Sequence, residues 1–411
     1  MPAVENAAYR QAISALPADP PSAPDPRTGP RRVLLFTETF LPKVDGIVNT
    51  LCRTLDGLHA QGCQTLVVAP VGAVSAYGPT PVLTPRAVPF PPYPEVRLGV
   101  AGPVLFRELD AFRPDLVHLV GPTVLGVSGL VYARSRGLPV VASYHTDLAR
   151  YARYYGLGLM EGPIWRALAE VHNRCELTLC PSRAVLADLR AHGFRRLRYW
   201  SRGVDATRFH PGRASADWRA RLSGGAPDAP LLLYVGRLAP EKRVDLVADV
   251  LRAHPGTRLA LVGDGPDRPR LEALFTGLPA CFVGYLQGDD LATAYASADV
   301  FVFPSHTETL GNVVLEAMAS GLPVVAPAAG GVTDLVEPGS SGLLFPPEDG
   351  AALAAAVGAL LADRVLRGRL AAAAVRFARQ RAWPRQLALL FAYYRLALRV
   401  HGSGWRLSAA S

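Results

Sequence analysis

Lysine is almost missing from this chain. Two of its 43 basic residues, Lys43 and Lys242, are lysines, and the others are arginines. Against 34 acidic residues this leaves a net charge of +9. Such an excess suits phosphorylated ligands or an anionic membrane surface, and equally the codon bias of a GC-rich genome. Cysteine is scarce too: five, odd in number and scattered. That excludes a disulfide framework and points to a reducing compartment. Cys175 and Cys180 stand close together, but no second pair completes a zinc spacing. Half of the residues are hydrophobic, yet no run is long and charge-free enough to span a bilayer. The first residues lack a secretory signal pattern. These absences predict a cytoplasmic protein, with peripheral contact at the inner face of the cell membrane left open. No zinc-finger, helix-turn-helix or RNA-recognition pattern occurs, so no nucleic-acid partner is expected. No P-loop, Ser-His-Asp or Cys-His set is evident either.

What is there is alternation. A length of 411 residues suggests two domains, each with its own core. Residues 1–30 are rich in Pro, Ala and Asp and are expected to be a disordered tail. From Arg32 onward, short apolar runs alternate with helical patterns, which predicts α/β domains built on parallel sheets. Val33 to Phe36 reads as a buried strand, and Gly46 starts a helix to about Ala60. Strands are expected at 66–69, 115–120, 139–144, 177–180 and 198–200, with 78–98 as a Pro-rich, loop-rich region. Arg202-Gly203-Val204-Asp205 marks a boundary, and the polar stretch 211–229 reads as linker. The same rhythm then restarts with strands at 231–235, 259–262, 281–283, 299–303 and near 324 and 343. The domains are therefore set at 31–204 and 205–383. Residues 384–411 hold a final helix that packs back across the first domain.

The most informative run is Phe303-Pro304-Ser305-His306-Thr307-Glu308-Thr309-Leu310-Gly311-Asn312-Val313-Val314-Leu315-Glu316. It reads as strand end, tight loop and helix, closed by Gly321 at a helix C′ position and Pro323 beyond. The amides of Thr309, Leu310, Gly311 and Asn312 would be unpaired at the helix start, where an anion is favoured. Arg237 and Lys242 follow another strand end and can grip a diphosphate, one as a fork and one as a point charge. Both lysines fall in such loops. His145 ends a strand in Tyr144-His145-Thr146-Asp147. The first loop carries one glycine, Gly46, where a dinucleotide fingerprint needs three. Asp45 is a candidate for binding acceptor or sugar. His118 and His172 read as structural, and His306 more as structural than as cleft-lining.

The Glu308–Glu316 unit resembles the acid-x7-acid motif of retaining family-four glycosyltransferases. Gly236 to Lys242 resembles that family's phosphate-gripping loop, and Tyr144 to Asp147 resembles the segment whose His reaches the transferred sugar. Phe40 to Gly46 looks like the bacterial mannosyltransferases acting on glycolipids. Leu274 to Ala280, Leu286 to Asp289 and Ala294 to Ser297 look like the sulfoquinovosyl-diacylglycerol synthases. The resemblance covers about 31–400 and implies a GT-B fold, two Rossmann-like doubly wound domains facing across a cleft. It implies catalytic roles for His145, Glu308, Arg237 and Lys242. It implies a donor site of Gly46, Arg237, Lys242, Glu308, Thr309, Leu310, Gly311, Asn312 and Glu316, with Glu316 on the ribose. The partners would be a UDP- or GDP-sugar donor and a hydroxyl acceptor, a lipid or glycolipid or else a soluble compound. No Asp-x-Asp sequence occurs, the usual sign of a metal-bound diphosphate, so no metal and no cofactor are expected. An epimerase or phosphorylase of similar fold and a non-catalytic sugar-nucleotide regulator stay open as alternatives.

Overall fold

The computed structural model describes residues 29–43, 45–85, 87–90, 93–99, 102–121, 123–145, 160–306 and 310–403. The proposed N-terminal tail lies outside them apart from its last two residues. In the first half the strands are β1 (Arg32–Thr37), β2 (Gln64–Val68), β3 (Ala76–Tyr77), β4 (Thr80–Leu83), β5 (Ala87–Phe90), β6 (Tyr93–Gly99), β7 (Leu116–Val120), β8 (Val140–Ser143), β9 (Leu177–Cys180) and β10 (Leu197–Tyr199). They form an eight-stranded sheet in the order β10-β9-β8-β7-β1-β2-β4-β3, with β5 and β6 as a separate hairpin. All pairings in the large sheet are parallel except β3 with β4. In the second half β11 (Leu231–Val235), β12 (Arg258–Val262), β13 (Ala280–Gly284), β14 (Val300–Val302), β15 (Val324–Pro327) and β16 (Gly342–Phe345) make a fully parallel sheet, ordered β13-β12-β11-β14-β15-β16.

The unbroken apolar strands explain why both sheets are parallel. Val33 to Phe36 and Leu231 to Leu233 are wholly buried, because helices cover both faces and leave no solvent side for polar alternation. One core cluster of the first sheet holds Leu35, Leu55 and Val141 together with Leu390, Phe391 and Tyr394. The last three come from the helix Trp383–Gly402, which thus packs on the first domain although it follows the second in sequence. Polar ties reinforce it: Trp200 Nε1 donates to the Gln386 carbonyl at 2.9 Å and Tyr393 Oη to the Tyr199 carbonyl at 2.9 Å. The two domains are joined where residues 203–204 cross 381–383. There the Val204 amide donates to Arg381 (3.0 Å) and the Trp383 amide to Val204 (3.2 Å).

Two expectations change. Residues 78–98, read as loop, contain β4 and the β5–β6 hairpin, which pair through backbone groups that a Pro-rich composition does not advertise. The stretch 211–229, read as linker, contains the helix Ala216–Leu222, capped by Ser215. Its Leu222 is fully buried in the second core beside Phe209, and Arg219 ties it to Asp299 at 2.8 Å.

In a doubly wound sheet, ligands bind beyond the carboxyl ends of the strands where the winding reverses. Here the reversals fall between β1 and β7 and between β11 and β14. The described loop residues there are 38–43, 45, 121 and 123 in the first domain, and 236–243, 303–306 and 310–311 in the second.

Candidate active site

Helix Gly46–Ala60 starts after Asp45, whose Oδ1 accepts from the amides of Ile47 and Val48 at 2.9 Å each. Its Oδ2 accepts from Thr39 Oγ1 at 3.3 Å and lies 3.6 Å from Lys43 Nζ. Asp45, expected on acceptor or sugar, is thus an N-cap with both oxygens engaged, the use an Asp just before a helix is suited to. In the second domain, helix Asn312–Ala319 starts after Gly311, which has φ +92°. That backbone suits glycine. The helix ends as the sequence predicts: the Leu322 amide reaches Ala317 and the Gly321 amide reaches Met318, a Schellman closure with Gly321 left-handed at φ +86°. Leu310 is buried in the core. Glu308 and Thr309 lie outside the described residues.

These two helix starts meet. A Cβ placed on Gly46 would lie 3.3 Å from Asn312 Nδ2 and 2.9 Å from Arg202 Nη1. Arg202 itself is 8% exposed and donates to Asn312 Oδ1 at 3.3 Å. Two positive helix ends and a buried guanidinium therefore converge on one point between the domains, which is an anion site in chemical terms. Sequence reading passed Arg202 over as part of a boundary. Its position directly after β10, at a sheet's carboxyl edge, is the signal that could have found it.

Arg237 and Lys242 occupy the loop after β11. The loop is held by close backbone packing: a Cβ on Gly263 would fall 2.0 Å from the Gly236 carbonyl oxygen, and one on Gly265 2.2 Å from that of Leu238. The Leu238 amide donates to the Asp264 carbonyl at 3.0 Å. Lys242 ends a short turn, Pro240–Lys242. Arg237, more than half exposed, pairs with Glu241 rather than with a group of the first domain. Glu241 thus holds the guanidinium.

Glu316, about one turn into its helix, accepts from Tyr295 Oη at 3.0 Å. Burial pushes its pKa up to about 7, with the tyrosine hydrogen bond opposing. Tyr295 is fully buried between Phe209 and Phe301, so it fixes the carboxylate's position.

His145, 7% exposed, closes a cavity of about 320 Å³ in the first domain, lined also by Glu38, Thr39, Lys43, Thr123 and His172. Burial, then the nearby Arg202 charge, hold its pKa well below the usual range, so the ring is neutral. His118 is structural: it bonds Tyr394 Oη at 2.7 Å and Ser143 Oγ, and burial lowers its pKa to about 3. His306 lies 3.7 Å from Glu348. Among the described residues no cluster of three or more His, Cys, Asp or Glu is placed to hold a metal ion.

Comparison with known proteins then decides the family. The chain is 41% identical over 379 residues to a GDP-mannose-dependent alpha-mannosyltransferase of Mycolicibacterium smegmatis, covering 89% of this chain and 98% of that one. It belongs to glycosyltransferase family 4. The family models match in tandem, "Glycosyltransferase Family 4" over residues 44–208 and "Glycosyl transferases group 1" over 229–363. A sulfoquinovosyl transferase of Arabidopsis thaliana is 40% identical over 353 residues, 84% of this chain and 69% of the relative. The alpha-monoglucosyldiacylglycerol synthase of Acholeplasma laidlawii is 25% identical over 338 residues, 76% of this chain and 84% of that one. Anabaena HepE in complex with UDP superposes with a TM-score of 0.72 at 22% identity, over 87% of this chain and 98% of that one. The fold is GT-B, and this family member is a glycosyltransferase.

Proposed function

We propose that this family-four enzyme moves a hexosyl group from a UDP- or GDP-sugar to a hydroxyl of a membrane lipid or glycolipid, with retention at the anomeric carbon and without a metal. The observation that carries this reading is the meeting of the Gly46 and Asn312 helix starts around Arg202, a fixed positive site between the two domains. The donor diphosphate sits there, gripped from the second domain by Arg237 and Lys242, with the amides of Thr309 to Asn312 and the carboxylate of Glu308 completing the site. Glu316 takes the ribose hydroxyls. His145, neutral and on the lining of the first-domain cavity, hydrogen-bonds a hydroxyl of the transferred sugar.

In the reaction the bond from the anomeric carbon to the diphosphate oxygen breaks, and the acceptor oxygen bonds to that carbon from the same face. The acceptor's hydroxyl proton passes to the departing diphosphate, whose charge Arg237, Lys242 and the helix amides stabilise. These cations do the work a metal would otherwise do, in line with the missing Asp-x-Asp sequence. Domain closure excludes water and aligns the partners. The alpha-monoglucosyldiacylglycerol synthase among the relatives, together with the +9 charge, supports a lipid acceptor and a cytoplasmic protein resting on the inner face of the membrane. Among the described residues no helix is long and apolar enough to cross one. The stretch around Arg150 to Tyr155, the candidate for that contact, lies outside the described residues.

Lys242→Ala and Glu308→Ala are expected to lower kcat by about 100-fold or more while the thermal unfolding transition stays in place. Full activity in either variant would remove the site assignment. Proton NMR of the product reads the anomeric outcome, and unchanged activity in a strong chelator is the expected result for metal independence. Sedimentation with anionic vesicles tests the membrane contact.

A further inference from the structure

Glu38 follows β1 and divides its two oxygens. Oε1 accepts from the amides of Leu125 (2.7 Å) and Gly126 (3.0 Å), at the start of helix Val124–Ser135. Oε2 has no hydrogen-bond or ion-pair partner among the described residues. Glu38 lines the cavity beside His145. A second group there is in the same condition. His172 is 1% exposed and lines the cavity; its Nδ1 bonds Thr178 Oγ1 at 3.1 Å, and its Nε2 has no partner among the described residues. Burial lowers its pKa to about 3, so it is a neutral ring with one donor and one acceptor. Glu38 is only partly buried, so these two atoms open onto the cavity and are available there to a ligand's hydroxyls or to water.

The rest of the lining narrows the ligand. Thr39 and Thr123 offer hydroxyls, while Ile47 and Leu168 offer apolar surface. The cation on the lining, Lys43, has a side chain 71% exposed and lies 3.6 Å from Asp45, so it serves the rim rather than the floor. An anionic group deep in the cavity would face the Glu38 carboxylate, while the charge near His145, Arg202, is engaged with Asn312. A ring with hydroxyls around its edge and C–H groups on its face meets every feature. We propose that this cavity binds an uncharged hexosyl headgroup already present on the acceptor lipid, with Glu38 Oε2 and His172 Nε2 each taking a hydrogen bond from its hydroxyls. The enzyme then adds its sugar to a glycolipid and not to bare diacylglycerol. This rests on the transferase reading above.

The test uses the full chain in mixed micelles with its own nucleotide sugar and two acceptors, a monohexosyl-diacylglycerol and diacylglycerol. The monohexosyl lipid should be preferred by about 100-fold or more in kcat/KM, since a site built for hydroxyls rejects an analogue that lacks them. Glu38→Gln keeps a carbonyl oxygen for the two amides but turns an NH2 toward the cavity. It should raise the acceptor KM about tenfold or more, with nucleotide-sugar affinity, read by thermal protection, unchanged. In the wild type, n-octyl glucoside should inhibit competitively with the acceptor and not with the donor, a reading that needs no variant. Equal use of both lipids overturns the proposal. So does a Glu38→Gln effect on donor affinity in place of acceptor KM, which would put the donor's own sugar in the cavity. A wild type that transfers from no nucleotide sugar to either lipid would instead sink the transferase reading.

Discussion

Burial of Glu316 against Tyr295 makes its negative charge expensive. Its pKa rises from an ordinary 4.5 to about 7, a difference worth about 3 kcal/mol. Below pH 4.5 the group is protonated in both folded and unfolded chains. Between that value and 7 the unfolded chain loses the proton first, so the folded state binds more protons and stability falls as pH rises. Glu316→Gln has no such charge. From pH 5 to pH 8 the wild type should therefore lose up to about 3 kcal/mol relative to this variant, as read by urea unfolding at the two pH values. An unchanged gap would mean that Glu316 is not buried as charge. At this scale the sequence marks residues whose neighbours in the chain share their task, such as Gly311, Asn312, Arg237 and Lys242. It is silent about Arg202, whose partner Asn312 lies 110 residues away. It is silent as well about Glu38, whose helix-capping role requires β1 and helix Val124–Ser135 to be neighbours. Asp45 shows the same limit, since a carboxylate before a helix can serve substrate or backbone, and in the structure it caps the backbone.

Among the elements, the buried parallel strands were the most legible, since burial on both faces leaves continuous apolar runs such as Val33 to Phe36. Short elements were not. The hairpin β5–β6 and the helix Ala216–Leu222 owe their form to pairing and to one or two buried anchors, not to a long pattern. The loop that carries Arg237 and Lys242 shows how much rests on backbone contact between elements. Gly263 has φ +127°, and a Cβ there would overlap the Gly236 carbonyl. Gly263→Ala should destabilise the second domain by roughly 2–5 kcal/mol, combining backbone strain with steric overlap. By displacing Gly236 to Leu238 it should also weaken nucleotide-sugar binding. Calorimetry and a thermal-protection titration measure the two effects; normal binding in a stable Gly263→Ala protein would show that the loop does not depend on this contact.

For the whole molecule, the two helix starts that meet at Arg202 belong to different domains, so their alignment depends on the crossing at residues 203–204 and 381–383. Tandem βα alternation made the two-sheet architecture readable, and the winding reversals then place both sets of loops at sheet edges. The crossing itself was not readable, because it depends on Gly203 letting Trp383 pass. A Cβ on Gly203 would sit 2.6 Å from Trp383 Cδ2 and 2.8 Å from its Cα. Arg53 of the first helix and Asp205 brace the same junction with an ion pair at 2.8 Å. Gly203→Ala should push the two crossing segments apart and shift one domain against the other. Misplacement of reacting groups by about 1 Å costs roughly 100-fold in rate. Hence kcat should fall by about 10- to 100-fold, and nucleotide-sugar affinity should fall with it, because Gly46 and Arg202 meet the Asn312 helix start across this same junction. Trimming the other side of the clash, in Gly203→Ala with Trp383→Leu, should recover part of the loss if the steric contact is the cause, a coupling that a double-mutant cycle measures. Simple additivity of the two substitutions would place the rate loss elsewhere than at the crossing.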